Sequence, residues 1–115
     1  MKVLIIVNES PWGSSLGVTA LRMAESFRAA GLTIAAVYFR EEGVYHAQSG
    51  RATDHGTPDL FEAWQSAASQ AGCPLLVCAS SAQRRLSGPC DGLFREAGLA
   101  EVMERVAASD RVVSF

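Results

Sequence analysis

Short runs of consecutive apolar residues alternate with amphipathic segments along the chain. Continuous apolar runs rich in β-branched residues are typical of strands that are buried on both faces of a sheet. Such runs predict strands over residues 2–7, 32–39, 75–78 and 111–115. Apolar positions at helical spacing predict helices over residues 16–30, 59–71, 79–86 and 97–108, and they leave residues 90–96 ambiguous.

Glycine and proline mark the ends of the predicted helices. Gly31 and Gly72 follow the first two helices directly, and glycine readily takes the left-handed conformation that ends a helix. Pro58 and Asp59 stand at the start of the second helix, where a proline and an acidic side chain are favourable. Because strands and helices alternate, the sequence predicts a three-layer α/β fold around a mostly parallel sheet.

The segments that follow the first three strands are expected to meet at one edge of this sheet. Parallel strands end at a common edge, and open α/β sheets bind their ligands there. The three segments are residues 8–15, 40–57 and 78–81. Residues 40–57 contain Gly43, Gly50 and Gly56 without a clear periodicity, so we predict a long loop that is more mobile than the sheet.

The composition indicates a soluble protein without general affinity for nucleic acid or membranes. Hydrophobic residues make up 49% of the 115 residues, which predicts one compact domain over residues 1–115. The 10 basic and 12 acidic side chains give a net charge of −2, so no direct binding to nucleic acid is expected. No apolar run approaches the ~20 residues that cross a bilayer, and the first strand is too short for a signal peptide. The sequence therefore predicts a cytoplasmic protein.

Cys78 is the residue whose position most suggests chemistry. It closes the third predicted strand, and a predicted helix begins directly behind it. The N-terminus of a helix presents unpaired N–H groups and about half a positive charge, which favour a thiolate over a thiol. Position alone leaves two interpretations open, a reactive thiol and a small buried side chain, because free cysteine is among the most buried residue types.

The cysteines and histidines do not follow a metal-binding or disulfide pattern. Cys73, Cys78 and Cys90 are odd in number and include no Cys-x-x-Cys pair, which argues against a disulfide framework and a zinc site. His46 and His55 lie in the predicted loop, and neither is expected to hold a metal. We therefore predict chemistry that uses no metal and no cofactor.

Three stretches of the sequence carry a family resemblance. They are Phe39-Arg-Glu-Glu-Gly-Val-Tyr-His-Ala, Leu75-Leu-Val-Cys-Ala-Ser-Ser-Ala-Gln-Arg-Arg and Asp110-Arg-Val-Val-Ser-Phe. In this order, and over essentially the whole chain, they resemble the DsrE/TusD family of small cytoplasmic sulfur carriers, which have a flavodoxin-like α/β fold. The resemblance implies that Cys78 is the catalytic residue and carries sulfur as a persulfide. It also implies a sulfur relay that serves tRNA thiolation or dissimilatory sulfur oxidation.

The resemblance further implies protein partners. A sulfur carrier needs a sulfur donor and a sulfur acceptor, and family members assemble with related subunits, so we expect a homo- or hetero-oligomer. Val44 and Tyr45 in the predicted loop, and the apolar strand at residues 112–115, are candidate contact surfaces. Two other functions stay open, a non-catalytic scaffold subunit of the same fold and a small nucleotide- or flavin-binding module.

Several neighbours could assist Cys78 or serve only the fold. His46 could orient or deprotonate the thiol, but the preferred interpretation is an ordinary loop residue, with Tyr45 anchoring the loop. Arg84 and Arg85 are interpreted as solvated helix charges rather than groups that stabilise the thiolate or dock a partner. Cys90 is interpreted as a structural or surface cysteine rather than a resolving thiol.

Two further features are assigned to the fold. Cys73 stands at the start of the third strand, at the opposite edge of the sheet from Cys78, and is expected to be buried and inert. The turn before the first helix lacks the glycine spacing of a phosphate-binding loop, so Ser14 or Ser15 is expected to cap that helix instead.

Overall fold

The computed structural model describes residues 1–50 and 58–115 of the chain. The strands are β1 (Lys2–Val7), β2 (Thr33–Phe39), β3 (Leu75–Cys78), β4 (Phe94–Ala97) and β5 (Arg111–Ser114). The α-helices are α1 (Leu16–Ala29), α2 (Leu60–Ala71), α3 (Ala79–Arg85) and α4 (Leu99–Ala107), and a 3₁₀ helix spans Glu41–Ala47.

The strands form one five-stranded sheet in the order β4-β3-β2-β1-β5, and every pair of neighbours is parallel. This confirms the predicted α/β fold. Tyr38 of β2 lies opposite Leu76 of β3, and Cys78 lies opposite Ala97 of β4. Because side chains alternate between the two faces of a strand, Tyr38, Leu76 and Cys78 lie on the same face of the sheet.

The two faces of the sheet are covered unequally. On one face, α1 and α2 pack on the larger core, which includes Phe39 and Trp64. On the other face, α4 packs through Val102 on a smaller set of buried side chains that includes Tyr38, with Cys78 partly buried at its margin. This smaller face therefore leaves Cys78 accessible at the carboxyl ends of the strands.

The second helix begins and ends close to the predicted positions. The Asp59 carboxylate accepts hydrogen bonds from the main-chain N–H groups of Phe61 and Glu62, at 3.1 and 3.4 Å, so Asp59 is the N-cap and Pro58 precedes it. Gly72 ends the helix with φ at +67°, a conformation that glycine adopts without steric cost. The largest error in a predicted helix boundary is at the start of α4, next to β4.

Strand β4 was not predicted, and it shifts the start of α4. Ala97 is the last residue of β4, so α4 begins at Leu99 rather than at the predicted residue 97. Phe94 and Ala97 are buried while the two residues between them are exposed, so this edge strand shows no clean two-residue alternation. Its pairing with β3 defines the strand, and that pairing is a tertiary contact.

The predicted irregular loop over residues 40–57 is wrong for its first part. Residues Glu41–Ala47 form the 3₁₀ helix, in which Val44, His46 and Ala47 are buried. The N–H of Gly43 donates to the carbonyl oxygen of Asn8 at 3.1 Å, and a Cβ at this position would collide with the Val7 carbonyl. The part of the prediction that concerns residues 51–57, including His55 and Gly56, lies outside the described residues.

Candidate functional site

Cys78 ends β3 and occupies the N-cap position of α3. Its side chain is partly exposed and packs at the margin of the smaller core. The preceding residues of β3 are buried, so the strand holds the thiol at the sheet edge while the sulfur remains accessible. The predicted strand-end and helix-start position of Cys78 is confirmed.

Hydrogen-bond donors surround the Cys78 sulfur. Burial by itself disfavours the charged thiolate, but hydrogen bonds from the Ser81 hydroxyl, the Tyr38 hydroxyl, the Ser81 main-chain N–H and the Ser80 hydroxyl outweigh it. Together they lower the pKa of the Cys78 thiol to about 7. The Ser80 oxygen lies 3.9 Å from the sulfur, a long contact. At neutral pH a large fraction of Cys78 is therefore the nucleophilic thiolate.

Tyr38 is the donor that reaches Cys78 from the neighbouring strand. Its ring is buried on the smaller face, and its hydroxyl is one of the groups that lower the pKa of the Cys78 thiol. Burial, with the Cys78 bond as a further cause, raises the pKa of Tyr38 far above its ordinary value. Tyr38 therefore keeps its proton wherever Cys78 ionises, and it remains a donor to the thiolate.

Ser81 is fixed between Cys78 and the 3₁₀ helix. It lies one turn into α3 and is fully buried at 0% exposure, so solvent does not reach its hydroxyl. The main-chain N–H of Glu41 donates to the Ser81 hydroxyl oxygen at 3.1 Å. Glu41 has φ at +51°, the left-handed region that costs a non-glycine residue on the order of 1 kcal/mol.

Arg84 and Arg85 contact Glu41. The Glu41 carboxylate lies 3.3 Å from the Arg85 guanidinium, 3.6 Å from that of Arg40 and 4.0 Å from that of Arg84. These pairs join the start of the 3₁₀ helix to the end of α3. The prediction that the two α3 arginines are solvated helix charges is therefore incomplete, because they also pair with the residue that binds Ser81.

His46 lies on the opposite face of the sheet from Cys78. It is fully buried, its Nε2 lies 3.1 Å from the Glu9 carbonyl oxygen, and its ring centroid is 5.4 Å from that of Phe39. These contacts belong to the larger core, so the structure does not support the hypothesis that His46 orients or deprotonates the thiol. Its interpretation as an ordinary loop residue is also wrong, because His46 is a core residue. Tyr45 packs on Trp12 with ring centroids 5.5 Å apart, as expected of an anchor.

The other cysteines lack the donors that Cys78 has. Cys73 and Cys90 are partly buried against the larger core. Burial raises the pKa of Cys73, and burial together with the charges of Glu96 and Asp91 raises that of Cys90. Cys78 is thus the cysteine of this chain whose thiol is shifted toward the thiolate.

The turn before α1 is held by hydrogen bonds between its own serine side chains and nearby main-chain groups. Ser15 is the N-cap of α1, but its side chain makes no capping hydrogen bond. The Ser14 hydroxyl instead accepts from the N–H of Leu16 at 3.2 Å, and Ser10 bonds to the main chain of Trp12. The predicted serine contact to the helix start is thus made by Ser14.

Sequence reasoning missed Tyr38, Ser81 and Glu41. Alternation along β2 and β3 could have placed Tyr38 on the face of Cys78, and the three-residue step from Cys78 to Ser81 could have placed both on one side of α3. The positive φ of Glu41 left no comparable signal in the sequence.

Clusters of metal-binding side chains and membrane-spanning helices are absent from the residues that the structure describes. Within residues 1–50 and 58–115, no group of three or more His, Cys, Asp or Glu side chains is arranged to hold a metal ion. Over the same residues, no helix is both long enough and apolar enough to cross a membrane.

Known proteins resemble this chain over its full length. Sulfurtransferase TusD of Salmonella newport (strain SL254) is 31% identical over 128 residues, and the match covers all of both chains. Sulfurtransferase TusD of Cronobacter sakazakii (strain ATCC BAA-894) is 29% identical with the same coverage. Both names describe those proteins, and the identities show common ancestry over the whole length.

The solved structure of the ychN protein from E. coli has the same fold. It superposes with a TM-score of 0.86 and covers 100% of this chain and 99% of the other, at 19% sequence identity. This likeness concerns the five-stranded sheet and its flanking helices. The model of the DsrE/DsrF-like family matches residues 1–115, and this chain therefore belongs to the DsrE/DsrF-like family.

Proposed function

We propose that this chain is a sulfurtransferase subunit that accepts and passes on persulfide sulfur through Cys78. The observation that carries the proposal is the position of Cys78, partly exposed at the end of β3 and at the N-cap of α3, where Ser81, Tyr38 and Ser80 lower the pKa of its thiol to about 7. The names of the TusD relatives support the same chemistry.

In the loading step, the Cys78 thiolate attacks the outer sulfur of a donor persulfide, R–S–SH. The donor's S–S bond breaks and R–S⁻ leaves as a thiolate, while a new bond forms and gives Cys78–S–SH. Atoms, charge and oxidation states balance, so the step needs no external oxidant or reductant. A lowered thiol pKa raises the fraction of attacking thiolate at neutral pH.

In the delivery step, an acceptor thiolate attacks the outer sulfur of Cys78–S–SH. The acceptor becomes the persulfide and Cys78 leaves as a thiolate. The hydroxyls of Tyr38 and Ser81 stabilise that leaving thiolate, and a thiol of lower pKa leaves faster. The same donors thus assist both directions of transfer, as a carrier requires.

The proposed partners are a sulfur-donor protein, a sulfur-acceptor protein and related subunits. The predicted contact through Val44 is wrong, because Val44 is fully buried. Large apolar side chains are instead exposed on α4 and the edge strand β5, at Leu99, Met103 and Val112. Exposed apolar side chains of this size suit subunit contacts.

The proposed function is tested by intact-mass spectrometry after incubation with cysteine persulfide. We expect the wild type to gain one sulfur atom on the peptide that contains Cys78, and we expect Cys78→Ser to gain none. Cys73→Ser and Cys90→Ser are the matched controls and should load as the wild type does. Loading of Cys78→Ser combined with loss of loading in Cys90→Ser would transfer the assignment to Cys90.

A further inference from the structure

Glu41 contacts α3 at two places. Its main-chain N–H donates to the hydroxyl oxygen of Ser81, and its carboxylate pairs most closely with Arg85, four residues further along α3. Arg40, the residue before Glu41, donates from its guanidinium to the Asn8 side-chain oxygen at 2.9 Å. The start of the 3₁₀ helix is therefore held between the end of β1 and α3.

The bond from Glu41 limits what the Ser81 hydroxyl can do. A serine hydroxyl has one hydrogen to donate and two lone pairs that accept. The Glu41 N–H occupies one lone pair, and the fully buried position of Ser81 keeps solvent from replacing that bond. Ser81 is the third residue of α3, one turn after Cys78 at the N-cap, and its hydroxyl is the first of the groups that lower the pKa of the Cys78 thiol. Linked hydrogen bonds polarise one another, so a serine that accepts from Glu41 is a stronger donor to Cys78.

The backbone conformation of Glu41 aims this N–H. Its φ of +51° is unusual for a residue with a side chain, and it persists where surrounding contacts compensate for the strain. The ion pairs of the Glu41 carboxylate with Arg40, Arg84 and Arg85 are such contacts.

We propose that Glu41 is a positioning residue for Cys78 that acts through Ser81. Its main-chain N–H, aimed by the left-handed backbone, directs the hydroxyl hydrogen of Ser81 to the Cys78 sulfur. The inference deepens the proposed function and rests on it, since a thiolate at Cys78 matters because it accepts sulfur. The prediction itself concerns the ionisation of the thiol, which is measured without any transfer.

The test must separate the effect of the Glu41 backbone conformation from the effect of its side-chain charge. The charged and titratable groups on the elements around Cys78, which are β2, the 3₁₀ helix with the residue before it, α3, β4 and α4, are Tyr38, Arg40, Glu41, Glu42, Tyr45, His46, Arg84, Arg85, Arg95, Glu96, Glu101, Glu104 and Arg105. Any neutral substitution of Glu41 changes this set in the same way. Glu41→Gly and Glu41→Val remove the same charge, but glycine adopts positive φ freely whereas β-branched valine resists it.

The readout is the pH profile of alkylation of the Cys78 peptide by iodoacetamide, followed by mass spectrometry. We expect the apparent pKa of Cys78 to be higher in Glu41→Val than in Glu41→Gly, which lowers the thiolate fraction near pH 7 by about threefold. Should Glu41→Val fail to fold, Glu41→Ala takes its place in the comparison. Equal Cys78 pKa values in Glu41→Gly and in the variant compared with it, Glu41→Val or Glu41→Ala, would overturn the proposal.

A double-mutant cycle tests whether Glu41 acts through Ser81. Ser81→Ala should raise the pKa of Cys78 by about one unit, and in that background the difference between Glu41→Gly and Glu41→Val should disappear. Tyr38→Phe is the matched control, because Tyr38 lowers the pKa of the same thiol from β2 and not through Ser81, so the difference should persist there. A difference that persists in Ser81→Ala would refute the route through Ser81.

Sulfur loading of the same variants separates the two proposals. If the pKa differences appear while the wild type accepts no sulfur from cysteine persulfide, the proposed function fails and the role of Glu41 stands. If the wild type loads at Cys78 while the glycine and valine variants titrate alike, the role of Glu41 fails and the proposed function stands.

Discussion

A cysteine stands near each end of β3, and the pKa values of the two thiols are shifted in opposite directions. Cys73 precedes the strand and Cys78 closes it. Burial raises the pKa of Cys73, whereas the donors around Cys78 overcome burial and lower its pKa to about 7. Both residues are partly buried, so burial alone does not separate them. The difference shows that the carboxyl end of the strand supplies oriented N–H and O–H groups that its other end lacks.

The carboxyl end depends on the close fit of the 3₁₀ helix against β1, and Gly43→Ala should disturb it most. The added Cβ would collide with the Val7 carbonyl oxygen, which is main chain and cannot rotate away. We expect a loss of about 2–3 kcal/mol in the free energy of unfolding, measured by urea denaturation. Alkylation of Cys78 should slow in this variant, while that of Cys73 should not.

Gly88→Ala is the control for this substitution. A Cβ at Gly88 meets nothing within 4 Å, so its stability and its Cys78 reactivity should match those of the wild type. If Gly43→Ala slowed the alkylation of Cys73 and of Cys78 alike, the reactivities at the two ends of the strand would not be independent.

Labelling of the wild type sharpens the comparison directly. At pH 7 a thiol of pKa about 7 is half ionised, whereas burial keeps Cys73 mostly protonated. We expect the Cys78 peptide to alkylate about tenfold faster than the Cys73 peptide at this pH, after allowing for the weaker nucleophilicity of a more acidic thiol.

The ratio of the two rates should fall as the pH rises toward 9, because Cys78 is already ionised while Cys73 begins to ionise. Cys90, whose pKa is also raised, should follow Cys73. A ratio near one across this range would mean that the donors around Cys78 do not act on its ionisation.

The pH dependence of stability gives the smallest expected effect. Since the folded chain lowers the pKa of Cys78 below its unfolded value, the thiolate stabilises the fold above the unfolded pKa, and this contribution is lost as the pH falls through about 7. The difference in unfolding free energy between the wild type and Cys78→Ser should therefore grow between pH 7 and pH 9. Solvent screening at this partly exposed site limits the growth to roughly 1 kcal/mol.

Urea titrations of both proteins at several pH values measure this difference. Cys73→Ser is the control, and its difference from the wild type should not grow over the same interval, because the pKa of Cys73 is raised. A flat difference for Cys78→Ser would indicate that the folded and unfolded states bind the proton equally.

Local patterns in the sequence were sufficient for most of the fold. Apolar runs located β1, β2, β3 and β5, and Gly72 and Asp59 located the ends of α2, because these signals depend on the residues themselves. Strand β4 escaped prediction because its definition is the pairing with β3. The 3₁₀ helix was not predicted because a glycine such as Gly43 suggests a flexible loop. In the structure, Gly43 lies so close to the Val7 carbonyl that a side chain with a Cβ would collide with it.

The candidate site likewise combines features that the sequence predicts with features that depend on the tertiary structure. The sequence by itself determined the family, through matches along the whole chain, and it determined the parallel sheet and the position of Cys78 between a strand and a helix, through local patterns of apolar and polar residues. Only the tertiary structure decided which groups bond to the sulfur, because Tyr38 reaches it from the neighbouring strand and Glu41 reaches Ser81 from a separate turn. Hydrogen bonds depend on distances and angles between atoms, and segments far apart in sequence acquire these only when the sheet has formed.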